Sequence, residues 1–204
     1  MSDAAASFGV GRRAVVIVAS TRAAAGTYPD RSGPLLAEQL GGWGFSVDDP
    51  VVVADGAAVG AALRNAIASS AELILTSGGT GLTPTDLTPE ETAPLLDRLV
   101  PGVPEALRAD GVARGIPTAM LSRGLAGVAG RSFVVNLPGS RGGVTDALAV
   151  LAHVLGHALD QIPGSDHGPS PVDDVLTRLG EGAAGGATRL GEGAADGATR
   201  GGSE

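Results

Sequence analysis

The sequence predicts an α/β protein, a three-layer α/β/α sandwich around a mostly parallel sheet, and three observations predict it. Short apolar runs alternate along the chain with segments whose apolar residues recur at helical spacing, the rhythm of βα units. The run Glu72 to Thr76, ELILT, has the composition of a parallel strand buried on both faces. A glycine-rich loop, SGGTG at Ser77 to Gly81, then joins that strand to a helix.

Taken in order, Ala14 to Ala19 reads as a buried strand followed by the loop Ser20 to Thr27. Pro34 to Leu40 carries apolar residues at 35, 36 and 40, a helix expected to stop at Gly41-Gly42. Phe45 to Ala54 returns as a strand, and Asp55 follows it. In Ala57 to Ser69 the apolar positions 59, 63, 66 and 67 share one helix face. Leu73 to Thr76 is the third strand. Thr88-Pro89-Glu90-Glu91 has the pattern of a capping box with proline at the first helical position, so helices are expected near 89–99 and 104–113. A fourth strand, Ser132 to Leu137, ends in Pro138-Gly139-Ser140, and Val144 to Leu159 reads as one long helix. Right-handed βα connections place helices on both faces of such a sheet.

Composition narrows the chemistry. All 14 basic residues are arginine, so a lysyl-adenylate, a Schiff base and the lysine of a Walker phosphate loop are excluded. There is no cysteine, which removes thiol nucleophiles, disulfides and cysteine-bound zinc, and suits a reducing compartment. The formal charge of -8 argues against a nucleic-acid surface, and Trp43 and Tyr28 offer no aromatic platform for bases. No apolar segment approaches the roughly 20 residues a membrane span requires, so a cytoplasmic location without membrane partners is expected. Three regions are expected: a flexible N-terminus at 1–12, one domain at 13–162, and a disordered Gly/Ala-rich tail at 163–204. In the tail TRLGEGAAGGA at Thr177 to Ala187 returns as TRLGEGAADGA at Thr188 to Ala198.

The chemistry gathers at the strand ends. Gly78, Gly79 and Gly81 permit close backbone approach to a ligand, and Ser77 and Thr80 add hydroxyls, so the loop is expected to hold phosphate or carboxylate. The loops after four strands begin at Ser20, Asp55, Ser77 and Asn136, and open parallel sheets bind ligands beyond the carboxyl ends of their strands. Asp55 and Asp86 suit Mg²⁺ held beside substrate phosphates. Two plainer readings stand beside this one: Asp55 as a helix cap, and Asp86 as a brace for its own loop. His153 and His157, four residues apart, have metal-binding spacing but sit in a sequence that reads as a core helix, and packing is the favoured reading.

These motifs carry a resemblance. SGGTG at Ser77 to Gly81, Asp86, TPE at Thr88 to Glu90 and NLPGS at Asn136 to Ser140 are similar to the MoaB/Mog family of molybdenum cofactor biosynthesis. The likeness runs from Ala14 to about Ile162 and takes in GTYPDRSGPLL at Gly26 to Leu36 and MLSRGLAGVAG at Met120 to Gly130. It is strongest to the Mog branch, the molybdopterin adenylyltransferases. The resemblance implies transfer of AMP from ATP to the molybdopterin phosphate with release of pyrophosphate, Mg²⁺ as cofactor, a homotrimer, and a downstream molybdate-insertion enzyme as partner. It also implies that Asp55 and Asp86 are the essential, metal-holding carboxylates. Substrate contacts would fall to Ser77, Gly78, Gly79, Thr80 and Gly81, to the Ser122-Arg123 turn, and to Asn136, Pro138, Gly139 and Ser140. Ser20 and Arg22 stand in the first-strand loop, where this chain has Thr21 in place of the aspartate of many members. Arg22 and Arg123 are the cationic candidates, with ordinary solvated arginine as the plain reading of each.

The inventory suits that reaction. The molybdopterin phosphate is already ionised at neutral pH, so its attack on the α-phosphorus needs no strong base, and catalysis rests on positioning and charge neutralisation. A function of another class stays in view: a non-catalytic molybdopterin-binding or assembly module of the MoaB type. Retention of both aspartates and both substrate loops favours the enzyme.

Overall fold

In the computed structural model, which describes residues 7–163, β1 (Arg13–Ala19) is the hub of a seven-stranded sheet. It pairs in parallel with β2 (Ser46–Val47) and β3 (Val51–Val53) on one side and with β4 (Leu73–Ser77) on the other. β4 pairs in parallel with β7 (Ser132–Leu137), and the far edge is antiparallel, through β6 (Ala126–Ala129) to β5 (Arg98–Leu99). The tail repeat and the first six residues lie outside the described residues.

Each central strand feeds two cores by the period-two alternation of its side chains. Val16, Val18, Leu73, Leu75, Phe133 and Val135 turn to one face. The one-turn helix α1 (Thr21–Ala24) follows β1. On the first face the strands meet α2 (Ser32–Gly42) through Leu36 and Leu40, α6 (Arg141–Leu151) through Val144 and Leu148, and α7 (Leu155–Gln161) through Leu155 and Leu159. Ile17, Ala19, Ile74 and Val134 turn to the other, against Val59, Leu63 and Ala66 of α3 (Ala57–Ala68). Helices therefore cover both faces, which is why these strands read as unbroken apolar runs.

Several expectations are corrected. The strand expected over Phe45 to Ala54 is two short strands separated by Asp48-Asp49-Pro50, since proline has no N–H for a ladder and two adjacent carboxylates stay hydrated. The helix expected near 89–99 stops early: α4 (Thr88–Thr92) passes into a 3₁₀ turn, Ala93–Leu95, and the chain then forms β5. Pro94 cannot continue the α-helical ladder. The capping box does not form. Leu87 is the N-cap without a side-chain bond, and Thr88 lies one position inside the helix, its N–H donating to the Gly79 carbonyl at 3.0 Å. α2 runs through Gly41 and Gly42 to a C-cap at Trp43, and the 104–113 helix begins two residues earlier, as α5 (Gly102–Ala113).

The long helix expected over Val144 to Leu159 is α6 and α7, which meet at 61°. The turn between them lets Leu151, Leu155 and Leu159 all enter one core. It also places His153 in the turn and leaves both His153 and His157 exposed, so neither packs in the core, and His157 Nε2 bonds to Gln161 at 2.6 Å. No single helix among the described residues is long and apolar enough to cross a membrane.

Candidate functional site

β1, β3, β4 and β7 end at the same edge of the sheet, and the loops that leave them are bound to one another. Ser20 N donates to Val53 O at 2.9 Å, which joins the first two loops. Gly78 N donates to Leu137 O at 3.1 Å and Ser77 Oγ to Pro138 O at 3.1 Å, which joins the other two. Gly78 (φ +98°) has no room for a side chain: a Cβ there would lie 2.3 Å from the Ala19 carbonyl oxygen. A Cβ on Gly79 (φ +64°) would meet Thr88 Oγ1 at 2.3 Å and Asp55 Oδ1 at 3.1 Å. Two successive residues with positive φ turn the following amides outward, and the N–H groups of Gly79, Thr80 and Gly81 meet no protein acceptor among the described residues.

This loop divides the site into two chambers. On one side is a broad cleft of about 950 Å³ that contains Ser20, Arg22, Asp55, Ser77, Gly78, Gly79, Asp86 and Gly139. On the other is a smaller pocket of about 270 Å³ that contains Thr80, Gly81, Ser122, Asn136, Pro138 and Ser140, walled by Pro104 and Leu107 of α5, Leu121, and Ala147 of α6. The residues expected from sequence are thus brought together as two sets that share the SGGTG and PGS loops. Arg123 lines neither.

In the cleft each aspartate has one oxygen engaged. Asp55 Oδ2 accepts from Thr21 N at 3.0 Å and Thr21 Oγ1 at 2.7 Å. Asp86 Oδ2 accepts from Thr83 N at 3.0 Å and Thr83 Oγ1 at 2.7 Å, closing its own loop. The remaining oxygens, Asp55 Oδ1 and Asp86 Oδ1, have no hydrogen-bond partner among the described residues. No group of three or more His, Asp or Glu side chains is placed to hold a metal ion among the described residues. Two carboxylates with one open oxygen each could hold only a cation that takes most of its ligands from water or phosphate, the habit of Mg²⁺.

Cations line the same cleft. Arg22 stands 5.3 Å from the Tyr28 ring centroid, a cation–π contact at the cleft wall. Arg31 and Arg141 also line it, and none of these three arginines makes an ion pair among the described residues. Sequence reasoning passed over Arg31 and Arg141. The signal for Arg141 was present, since it begins α6 directly after Ser140, whose Oγ caps that helix by accepting from Gly143 N at 3.1 Å.

Two expected contact residues are internal braces. Asn136, buried, donates through Nδ2 to Thr76 Oγ1 and Thr92 Oγ1, both at 3.0 Å, and accepts from Leu125 N at 3.1 Å. Both amide N–H groups and one lone pair of its oxygen are thus taken up inside the protein, while the residue also lines the pocket. Arg123 Nε donates to Gly81 O at 2.8 Å, Nη2 to Asp86 O, and Nη1 pairs with Glu90, while Arg123 N donates to Thr80 O at 2.9 Å. Its guanidinium thus spans the aspartate loop and the start of α4, with three of its five N–H donors engaged there.

Two expectations follow. Gly78→Ala forces a Cβ against backbone and is expected to lose about 2 kcal/mol or more of unfolding free energy in urea; a cost below half of that would show the loop free to shift. The Arg123 guanidinium holds the Glu90 carboxyl below its usual 4.5, first through their hydrogen bond. A depressed folded-state value contributes stability that is complete above pH 4.5 and is lost as the pH falls through the lower folded value. Glu90→Gln is therefore expected to melt slightly below the parent at neutral pH, the pair being half exposed, with the gap closing on acidification. A gap independent of pH would show the pair inert.

Comparison with known proteins agrees with this geometry. A profile of the family described as "Probable molybdopterin binding domain" matches residues 15–157. The molybdenum cofactor biosynthesis bifunctional protein of Synechococcus elongatus is 44% identical over 156 residues, which is 76% of this chain and 49% of that protein. The chain spans about half the length of such bifunctional relatives. The molybdopterin adenylyltransferase of Pyrococcus furiosus is 36% identical over 151 residues, 70% of this chain and 89% of that protein. The solved Mog protein of Mycobacterium ulcerans superposes with a TM-score of 0.71 at 55% identity, covering 74% of this chain and 99% of that one. The profile match over residues 15–157, together with relatives of this identity across the same fold, places the chain in the molybdopterin-binding family that contains the MoaB and Mog proteins of molybdenum cofactor biosynthesis.

Proposed function

We propose that the protein is a molybdopterin adenylyltransferase, which transfers AMP from ATP to the molybdopterin phosphate in molybdenum cofactor biosynthesis. One observation carries the reading: two half-engaged carboxylates and three arginines without ion-pair partners among the described residues share a cleft with the glycine loop, and a mostly apolar pocket opens across that loop. Phosphates of both substrates would meet along Gly79 to Gly81, whose N–H groups meet no protein acceptor among the described residues, and a flat ring would enter the pocket beside Leu107 and Leu121. The relatives' names, molybdopterin adenylyltransferase among them, support the same reaction class.

In the proposed step an oxygen of the molybdopterin phosphate attacks the α-phosphorus of ATP, the new P–O bond forms in line, and the bond to the β-phosphate breaks to release pyrophosphate. The attacking group is already deprotonated near neutrality, so the chain has no proton to remove. Its residues hold the two phosphates together and spread the developing charge over backbone N–H groups, Arg22, Arg31 and Arg141. Mg²⁺, held by Asp55 and Asp86, would neutralise the phosphate oxygens and the departing pyrophosphate. Homotrimeric assembly, a cytoplasmic setting and hand-over to a downstream molybdate-insertion enzyme complete the proposal.

Incubation with molybdopterin, ATP and Mg²⁺ is expected to yield adenylylated molybdopterin and pyrophosphate in equal amounts. Binding of authentic molybdopterin without product would overturn the enzyme in favour of a non-catalytic module. Asp86→Asn keeps an acceptor for Thr83 yet removes the charge, so turnover is expected to fall about 100-fold or more while molybdopterin affinity and melting temperature stay near the parent values. Near-parental turnover would leave Asp86 as a loop brace only.

A further inference from the structure

We infer that Thr21 is a positioning residue for Asp55, fixing the plane of its carboxylate so that one oxygen stays turned to the cation beside the substrate phosphates; the inference rests on the adenylyltransferase reading. Thr21 and Asp55 are 34 residues apart, and each lies two residues beyond its strand, β1 and β3, which pair in parallel at Ala19 and Val53. Three hydrogen bonds join them. Asp55 Oδ2 accepts from Thr21 N and Thr21 Oγ1, and Asp55 N is 3.3 Å from the same Oγ1 as donor.

The arrangement is directional. With two donors on Oδ2, rotation of the carboxylate about its Cβ–Cγ bond would break both, so the group is held with Oδ1 turned toward Gly79 and the shared cleft. The backbone donor depends only on where the chain leaves β1. The hydroxyl donor depends on the side chain, which must carry an oxygen on Cβ. Thr21 is exposed, so its loss opens no core cavity and its role is separable from folding.

Groups that orient a metal-holding carboxylate without touching the ion change metal affinity when removed, by about 10- to 100-fold in sites where this has been measured. Thr21→Val deletes the hydroxyl and keeps shape and backbone donor, while Thr21→Ser keeps the hydroxyl. The measurement is calorimetric binding of a non-hydrolysable ATP analogue by the full chain across a Mg²⁺ titration, with a melting curve for each variant. Thr21→Val is expected to need about tenfold more Mg²⁺ for half-maximal tightening of analogue binding, and Thr21→Ser to stay within about twofold of the parent. Melting temperatures should be unchanged. Magnesium-dependent binding that is equal in the parent and in Thr21→Val would overturn this inference and leave the metal assignment of Asp55 standing. Analogue binding by the parent that ignores Mg²⁺ would overturn the metal assignment and the inference with it.

Discussion

The constraint on which the site depends is the absence of room beside Gly78. A Cβ on Gly78 would lie 2.3 Å from the carbonyl oxygen that ends β1, and a Cβ on Gly139 would come within 3.1 Å of the Gly78 Cα from the other loop. Three loops from three neighbouring strands can converge only because two of them meet glycine on glycine. That contact sets the distance between the ends of β4 and β7, and the bonds from Gly78 N and Ser77 Oγ then lock it. Everything with a charge is mounted on this junction. Asp55 faces it from β3, Asp86 closes the loop that leaves it, and Arg141 begins the helix that follows it.

A chain with arginine as its only strong base divides that residue between two tasks. Arg123 satisfies two main-chain carbonyls and a carboxylate at once, one from each nitrogen, which suits a planar fork of five donors better than the compact ammonium of lysine. It converts the loop from Thr80 to Glu90 from a long excursion into a framed one. Arg22, Arg31 and Arg141 have no such carboxylate among the described residues and face the cleft. The distinction is one of surroundings, since nothing in the residue type itself tells a brace from a ligand-facing cation.

How much of this was legible follows from where the information lies. The parallel strands were legible because burial on both faces makes them apolar throughout, and the shared edge followed from the rule that places ligands at strand C-termini. β5 and β6 were not, because Arg98–Leu99 and Ala126–Ala129 are short and owe their ladder to each other and to β7. The capping box at Thr88 failed for a tertiary reason: the Gly79 carbonyl takes the Thr88 N–H, which draws Thr88 inside the helix and leaves its buried Oγ1 without a partner among the described residues. Asp55 and Asp86 were legible as cleft residues by position. That Arg123 and Asn136 are braces was not, since their partners lie up to 60 residues away in sequence.

The division into two chambers gives the loop carboxylates a physical logic. Asp55 and Asp86 each have one oxygen held by a threonine hydroxyl and a backbone N–H, and neither pairs with an arginine among the described residues. Such a carboxylate is oriented but not neutralised. Two of them near one phosphate loop would repel an incoming triphosphate unless a cation arrived with it, while Arg22, Arg31 and Arg141 in the same cleft would attract it. On the proposed reading this balance selects the complex of nucleotide and Mg²⁺ over either component alone. On the same reading, with no group of three or more carboxylates or imidazoles placed for a metal among the described residues, the ion would draw its remaining ligands from phosphate and water, and would enter and leave with the substrate instead of residing in the fold.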